Sequence, residues 1–180
     1  MSFSSYSSII GFFHPHNEVR KCSTEKSSFL AKMREDVVQE INVIQKKLLQ
    51  EARLFQSELS TKQRIKLVFS RWVLACAKRR AAYIKHQCYT DDDYVAKTTF
   101  LVGNTVMFSD LYFKESYRYG SLHSTAVYLH ELAHLCGTFD SLDFESNNPP
   151  RDSFVIGWES NAETYEYWVK YGFCIPEINC

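Results

Sequence analysis

Residues 130–140 read His130-Glu131-Leu132-Ala133-His134-Leu135-Cys136-Gly137-Thr138-Phe139-Asp140. On a helix, two histidines four apart project from one face a single turn apart, so both imidazoles reach one tetrahedral ion. Glu131 follows the first of them and can act on a water at the metal without being a ligand itself. The flanks Ala126-Val127-Tyr128-Leu129, Leu132-Ala133 and Leu135 are apolar, which predicts a buried helix. Burying Glu131 with no metal, water or base beside it is costly. The string is the H-E-x-x-H pattern of zinc metalloproteases, with the Glu as general base.

Zinc requires a third protein ligand. Asp140 lies six residues past His134, after Gly137-Thr138, where a glycine can end the helix and turn the chain back. The spacing approaches H-E-x-x-H-x-x-G-x-x-H with Asp in the last place, and carboxylate oxygen is an acceptable zinc donor. Asp143 in the same loop and Glu159 at the start of the last predicted helix are rivals.

Two blocks carry a resemblance. Gly137-Thr138-Phe139-Asp140 and Asn161-Ala162-Glu163-Thr164-Tyr165-Glu166-Tyr167-Trp168 are similar to the G-T-x-D and N-A-D-x-x-E-Y-F blocks of the aspzincins. That family includes deuterolysin and the peptidyl-Lys metalloendopeptidases. The resemblance spans roughly residues 95–170 and implies an α+β, zincin-like metallopeptidase domain. In it a helical N-terminal layer and a small antiparallel-edged sheet flank the H-E-x-x-H helix. It implies His130, His134 and Asp140 as Zn²⁺ ligands and Glu131 as base. It also implies that Glu163 and Glu166 face a pocket favouring a basic residue, Lys above all, after the scissile bond. The chain departs from the family at Asp143, where a transition-state Tyr is expected, leaving Tyr165 and Tyr167 as substitutes. A cysteine expected near Ser109 is missing. Glu163 has a second reading, as acceptor for the free ring N–H of a ligand histidine.

Outward from this segment, residues 1–24 are Ser-rich and aperiodic, a flexible lead to one domain over 25–180. Phe29, Met33, Val37, Ile41, Ile44, Leu48, Leu54 and Phe55 mark one long helix or two. After a cap at Ser60-Thr61, residues Ile65, Val68, Phe69, Trp72, Cys76 and Tyr83 read as the inner face of the next helix. Asp91-Asp92-Asp93 marks a turn. Thr98–Val102 and Thr105–Phe108 around Gly103-Asn104 read as a hairpin. The strand Thr105–Phe108, with Val106 and Phe108, is the candidate edge for an extended substrate. Residues 137–157 read as an irregular connection, and a final helix is expected from about Glu159 to Lys170, with Glu159, Glu163 and Glu166 on one face.

The chain has 180 residues with 21 basic and 21 acidic side chains, a balance that argues against nucleic acid as partner. The balance is uneven: residues 1–90 carry 16 Lys/Arg against 7 Asp/Glu, and residues 91–180 carry 5 against 14. No apolar run approaches the roughly 20 residues that span a bilayer, so no membrane partner is expected. Six cysteines without a C-x-x-C pair in a chain of this size read mostly as free thiols in a reducing compartment. Met1–Tyr6 lack a basic residue and Ile9–Phe13 is too short for a secretory core, so no cleaved signal is expected. These features point to a cytoplasmic monomer or a non-classically delivered toxin or effector acting on a protein or peptide substrate. A peptidoglycan hydrolase with the same zinc site, and an inactive zinc-binding interaction protein, stay open as alternatives.

Overall fold

The computed structural model describes residues 19–90, 94–98, 103–140, 148–152 and 156–180. The first helix, α1 (Thr24–Leu54), is a single 31-residue span that no Gly or Pro interrupts. Ser23 caps it by accepting from the Lys26 N–H, and Met33, Val37, Ile41, Ile44 and Leu48 are buried along its expected face. Leu54 falls on the solvent side. At the start of α2 (Thr61–Tyr83), Ser60 and Gln63 form a reciprocal capping box, which satisfies two otherwise orphaned N–H groups.

The inner face of α2 is not the one the large apolar residues mark. Leu67, Ser70, Val73, Leu74, Ala77 and Ala81 are buried, whereas Ile65, Val68, Trp72 and Tyr83 are exposed. Small residues at Ser70, Ala77 and Ala81 let α2 approach α1 and α4 closely, and that packing outweighs the larger side chains one step around the helix.

A four-stranded sheet follows, ordered β1 (Val19–Arg20), β2 (Lys85–Tyr89), β4 (Thr105–Ser109), β3 (Ala96–Thr98). β2 and β4 are parallel, and β1 and β3 pair antiparallel on either side. The Thr105–Phe108 strand is therefore interior, and the outer strand beside it is β3. Val106 and Phe108 are fully buried, with the Phe108 ring stacked on Tyr128 at 5.4 Å, so both are core residues rather than substrate contacts. Lys85–Tyr89 was not legible as a strand because His86, Gln87 and Lys85 break the apolar alternation. The hairpin's residues 99–102, the Asp91–Asp93 turn and residues 1–18 of the lead lie outside the described residues. Val19–Arg20 and the start of α1 show that order begins before residue 25.

Helix α3 (Asp110–Tyr119) is capped by Ser109, and α4 (Ser121–His134) is buried from Ser124 to its end. Packed around α4 are α1, α2, α3, β3 and α5 (Ala162–Tyr171). The last helix begins later than expected, after a 3₁₀ turn at Trp158–Ser160. No helix among the described residues is long and apolar enough to cross a membrane.

All six cysteines are paired, as Cys22–Cys88, Cys76–Cys136 and Cys174–Cys180, which overturns the free-thiol reading. Two pairs join residues 66 and 60 positions apart, a proximity that spacing in the chain does not encode. Three disulfides point to an oxidising compartment rather than a cytoplasmic one.

The chain after the ligand segment is held to α2 by a buried lysine. Lys66, only 6% exposed, pairs with Asp152 and with Glu159 Oε2 at 3.1 Å, and Lys62 joins Asp152 at 2.9 Å. Burial opposes ionisation of Asp152, but the two lysines and the Trp158 N–H outweigh it and hold the carboxyl down at about 2. This pKa lies below the unfolded value of about 3.9, so the contribution is present above pH about 4 and is lost as pH falls through about 2. With the side chain about a third exposed, screening leaves roughly 1 kcal/mol. Asp152→Asn is expected to lower urea-unfolding stability by about that amount at pH 7. The gap from the native protein should close toward pH 2.

Candidate metal centre

The ligand-bearing turn is built by local backbone bonds. Thr138 N–H donates to Ala133 O at 3.2 Å and Gly137 N–H to His134 O at 3.1 Å, the paired bonds of a Schellman motif. Gly137 has φ 87°, a left-handed conformation that an L side chain resists, so the glycine ends α4 directly after the second histidine. Phe139 then bonds both ways with the start of α5, its N–H to Ser160 O and its C=O from the Ala162 N–H. Asn161 caps α5 by accepting from the Glu163 N–H at 3.1 Å. Together these contacts return Asp140 to α4 and hang α5 beside it.

His130 Nε2 and His134 Nε2 lie 3.0 Å apart, and Asp140 Oδ1 is 3.1 Å from the first and 3.3 Å from the second. A tetrahedral ion about 2.0–2.1 Å from each donor separates them by about 3.3 Å, so the triangle has the dimensions a zinc-sized ion requires. The ring protons strengthen the fit. His134 Nδ1 faces Thr138 O at 3.0 Å, and since a carbonyl only accepts, Nδ1 carries the hydrogen and Nε2 presents its lone pair. His130 Nδ1 lies 3.1 Å from Glu166 Oε2, an ion-pair contact whose negative charge favours the hydrogen on that nitrogen. Two lone pairs and a carboxylate thus converge in a buried spot that calls for a positive charge.

The electrostatics agree. Burial alone would lower His130, but Asp140 and Glu166 overcome it and raise its pKa well above the ordinary value. Burial likewise opposes ionised Asp140, yet the two imidazoles hold its carboxyl well below the usual range. A bound cation replaces the proton that this arrangement otherwise keeps on His130. Glu131 is buried with Oε2 unpaired, and that burial raises its pKa.

The other candidates separate. Glu159 pairs with Lys66 and is no ligand, and the 3₁₀ turn takes it off the face shared by Glu163 and Glu166. Asp143 lies outside the described residues. Tyr165 is fully buried, donating its hydroxyl to Glu159 O at 2.7 Å and packing edge-on against Trp168, so it is a core residue whose hydroxyl is already engaged. Tyr167 is half-buried with its ring 4.8 Å from that of Tyr171. Both Glu166 oxygens are committed, one to His130 and one to Lys170. Burial raises Glu166, but His130 and Lys170 outweigh it and keep it ionised, whereas burial dominates at Glu163 and pushes it up. Glu163 keeps a buried, unpaired Oε2, and its donors lie with those of Glu166 and His130 within 4.8 Å of one another.

The alternative reading of Glu163 as the carboxylate facing a histidine ring N–H falls instead to Glu166, which lies against His130 Nδ1. Sequence reasoning also missed the Thr138 carbonyl and Lys170, although Lys170 stands one helical turn from Glu166 and could have been read from that i, i+4 spacing. Glu166→Ala is expected to weaken zinc binding about 10- to 100-fold by freeing the His130 ring. Glu166→Gln, which keeps an acceptor, should recover part of that loss in a competitive chelator titration. Compared with known proteins, the chain matches no protein family, no curated protein and no solved structure at a significant level.

Proposed function

We propose that the chain is a zinc-dependent endopeptidase that hydrolyses peptide bonds of a protein substrate. The observation that carries the reading is the triangle of His130 Nε2, His134 Nε2 and Asp140 Oδ1 with the unpaired Glu131 carboxylate beside it. Zinc held by those three residues supplies Lewis-acid polarisation of the scissile carbonyl and acidifies water to a pKa of about 7. Glu131 accepts a proton from the attacking water as its oxygen bonds to the carbonyl carbon. The same carboxyl then donates that proton to the amine nitrogen as the C–N bond breaks. Asp140 brings one negative charge, which leaves the centre with net positive charge toward the carbonyl oxygen.

An extended peptide pairs with β3, the outer strand of the sheet, which packs against α4. A preference for Lys after the scissile bond rests on Glu163, because Glu166 is occupied by His130 and Lys170. Tyr167, the part-exposed one of the two tyrosines, is the one left to assist the carbonyl oxygen.

Digestion of a mixed peptide library, with cleavage sites mapped by mass spectrometry, tests this reading. Expected is cleavage that o-phenanthroline stops and added zinc restores, enriched before Lys. Absence of cleavage by the zinc-loaded protein on peptides, casein and purified sacculi would leave a binding role instead.

A further inference from the structure

We propose that the solvent face of α2 docks on an anionic lipid bilayer. Three observations meet on this face. Ile65, Val68 and Trp72 lie at i, i+3 and i+7 and are 66%, 65% and 52% exposed, a run of large apolar side chains that the core does not use. The 23 residues of α2 include seven Lys/Arg and no Asp or Glu. Of these cations only Lys62 and Lys66 are neutralised by a carboxylate; Arg64, Arg71, Lys78 and Arg79 have no acidic partner among the described residues.

An interleaved apolar and cationic helix surface is what an interfacial helix presents: the apolar groups enter the headgroup boundary and the cations meet anionic headgroups. Nucleic acid or another polyanion takes up the charge but leaves Ile65 and Val68 in water. A partner helix in the usual mode lies in a groove, whereas this face is the convex side of one helix. The bilayer satisfies both features. It also departs from the sequence expectation of no membrane partner, which followed from the lack of a bilayer-spanning apolar run and does not bear on a helix lying at the surface. The opposite face of α2 packs on α4, and Cys76–Cys136 ties α2 to the turn that follows α4, so docking places α2 between the lipid and the helix that bears His130.

Tryptophan emission gives a local readout, because Trp158 and Trp168 are buried at 3% and 1% exposure while Trp72 is open to solvent. The intact, disulfide-bonded chain is mixed with vesicles of phosphatidylglycerol and phosphatidylcholine, or of phosphatidylcholine alone, and followed by co-sedimentation and emission. Expected is binding to the anionic vesicles with a blue shift, weakened at high salt and absent with phosphatidylcholine alone. Arg71→Glu with Lys78→Glu should weaken binding at least about tenfold. Ile65→Ser with Val68→Ser should also weaken it, and Trp72→Phe should bind yet lose the shift. No binding to anionic vesicles overturns the proposal. So does binding that ignores Ile65→Ser with Val68→Ser, or that gives no shift, since charge alone then accounts for it and a polyanion becomes the partner.

Discussion

Glu131→Gln is expected to reduce turnover about 10²- to 10⁴-fold while leaving zinc content unchanged. The amide has nearly the shape of the carboxyl, so the buried space beside His130 stays filled, and Glu131 contributes no donor to the His130–His134–Asp140 triangle. On the proposed mechanism, what it loses is the capacity to take a proton from water and pass it to the departing nitrogen. Burial raises the Glu131 pKa, which makes that carboxyl a stronger base than a surface Glu and a ready donor in the second step. The check is kcat on the best library peptide, with metal analysis of the same sample. Turnover near that of the native chain would remove Glu131 from the proposed mechanism.

Removing the Cys76–Cys136 bond is expected to give a large loss of stability. The bond closes 60 residues, and chain-entropy reasoning puts its contribution at about 4 kcal/mol. For a chain of this size that corresponds to a Tm lower by roughly 8–16 °C in the Cys76→Ala, Cys136→Ala double variant. Cys136 also stands two residues after His134, next to the Gly137 turn that returns Asp140 to α4. Loosening this anchor should therefore weaken zinc binding as well as folding. Calorimetry with and without zinc separates the effects: a metal-independent Tm loss measures the crosslink, and a smaller zinc-induced rise in Tm measures the site.

What the chain reveals in advance follows the range of the interaction. The H-E-x-x-H face, the glycine that ends α4 and the return of Asp140 are set by neighbours within a few residues, and each was legible. The inner face of α2 was not. Two apolar stripes overlap on that helix, and the choice depends on how closely α1 and α4 approach it, which favours Ser70, Ala77 and Ala81 over Ile65, Val68 and Trp72. The cysteine pairs fall in the same class, because Cys22 meets Cys88 only once β1 has joined β2. β4 read as an edge because its neighbour β2, written Lys85-His86-Gln87-Cys88-Tyr89, looks polar. At the site, the two glutamates of α5 share a block in sequence, and only packing shows that Glu166 holds His130 while Glu163 stays unpaired.

Zinc titration of the apo protein and of Asp140→Ala, by competition with a chromophoric chelator, tests the central claim most directly. The account predicts one zinc ion per native chain held below micromolar free metal. It predicts a loss in Asp140→Ala larger than the roughly 10- to 100-fold expected of an orienting residue such as Glu166. A native chain that takes up no zinc at micromolar levels, or an Asp140→Ala chain that binds it as tightly as the native one, would contradict it.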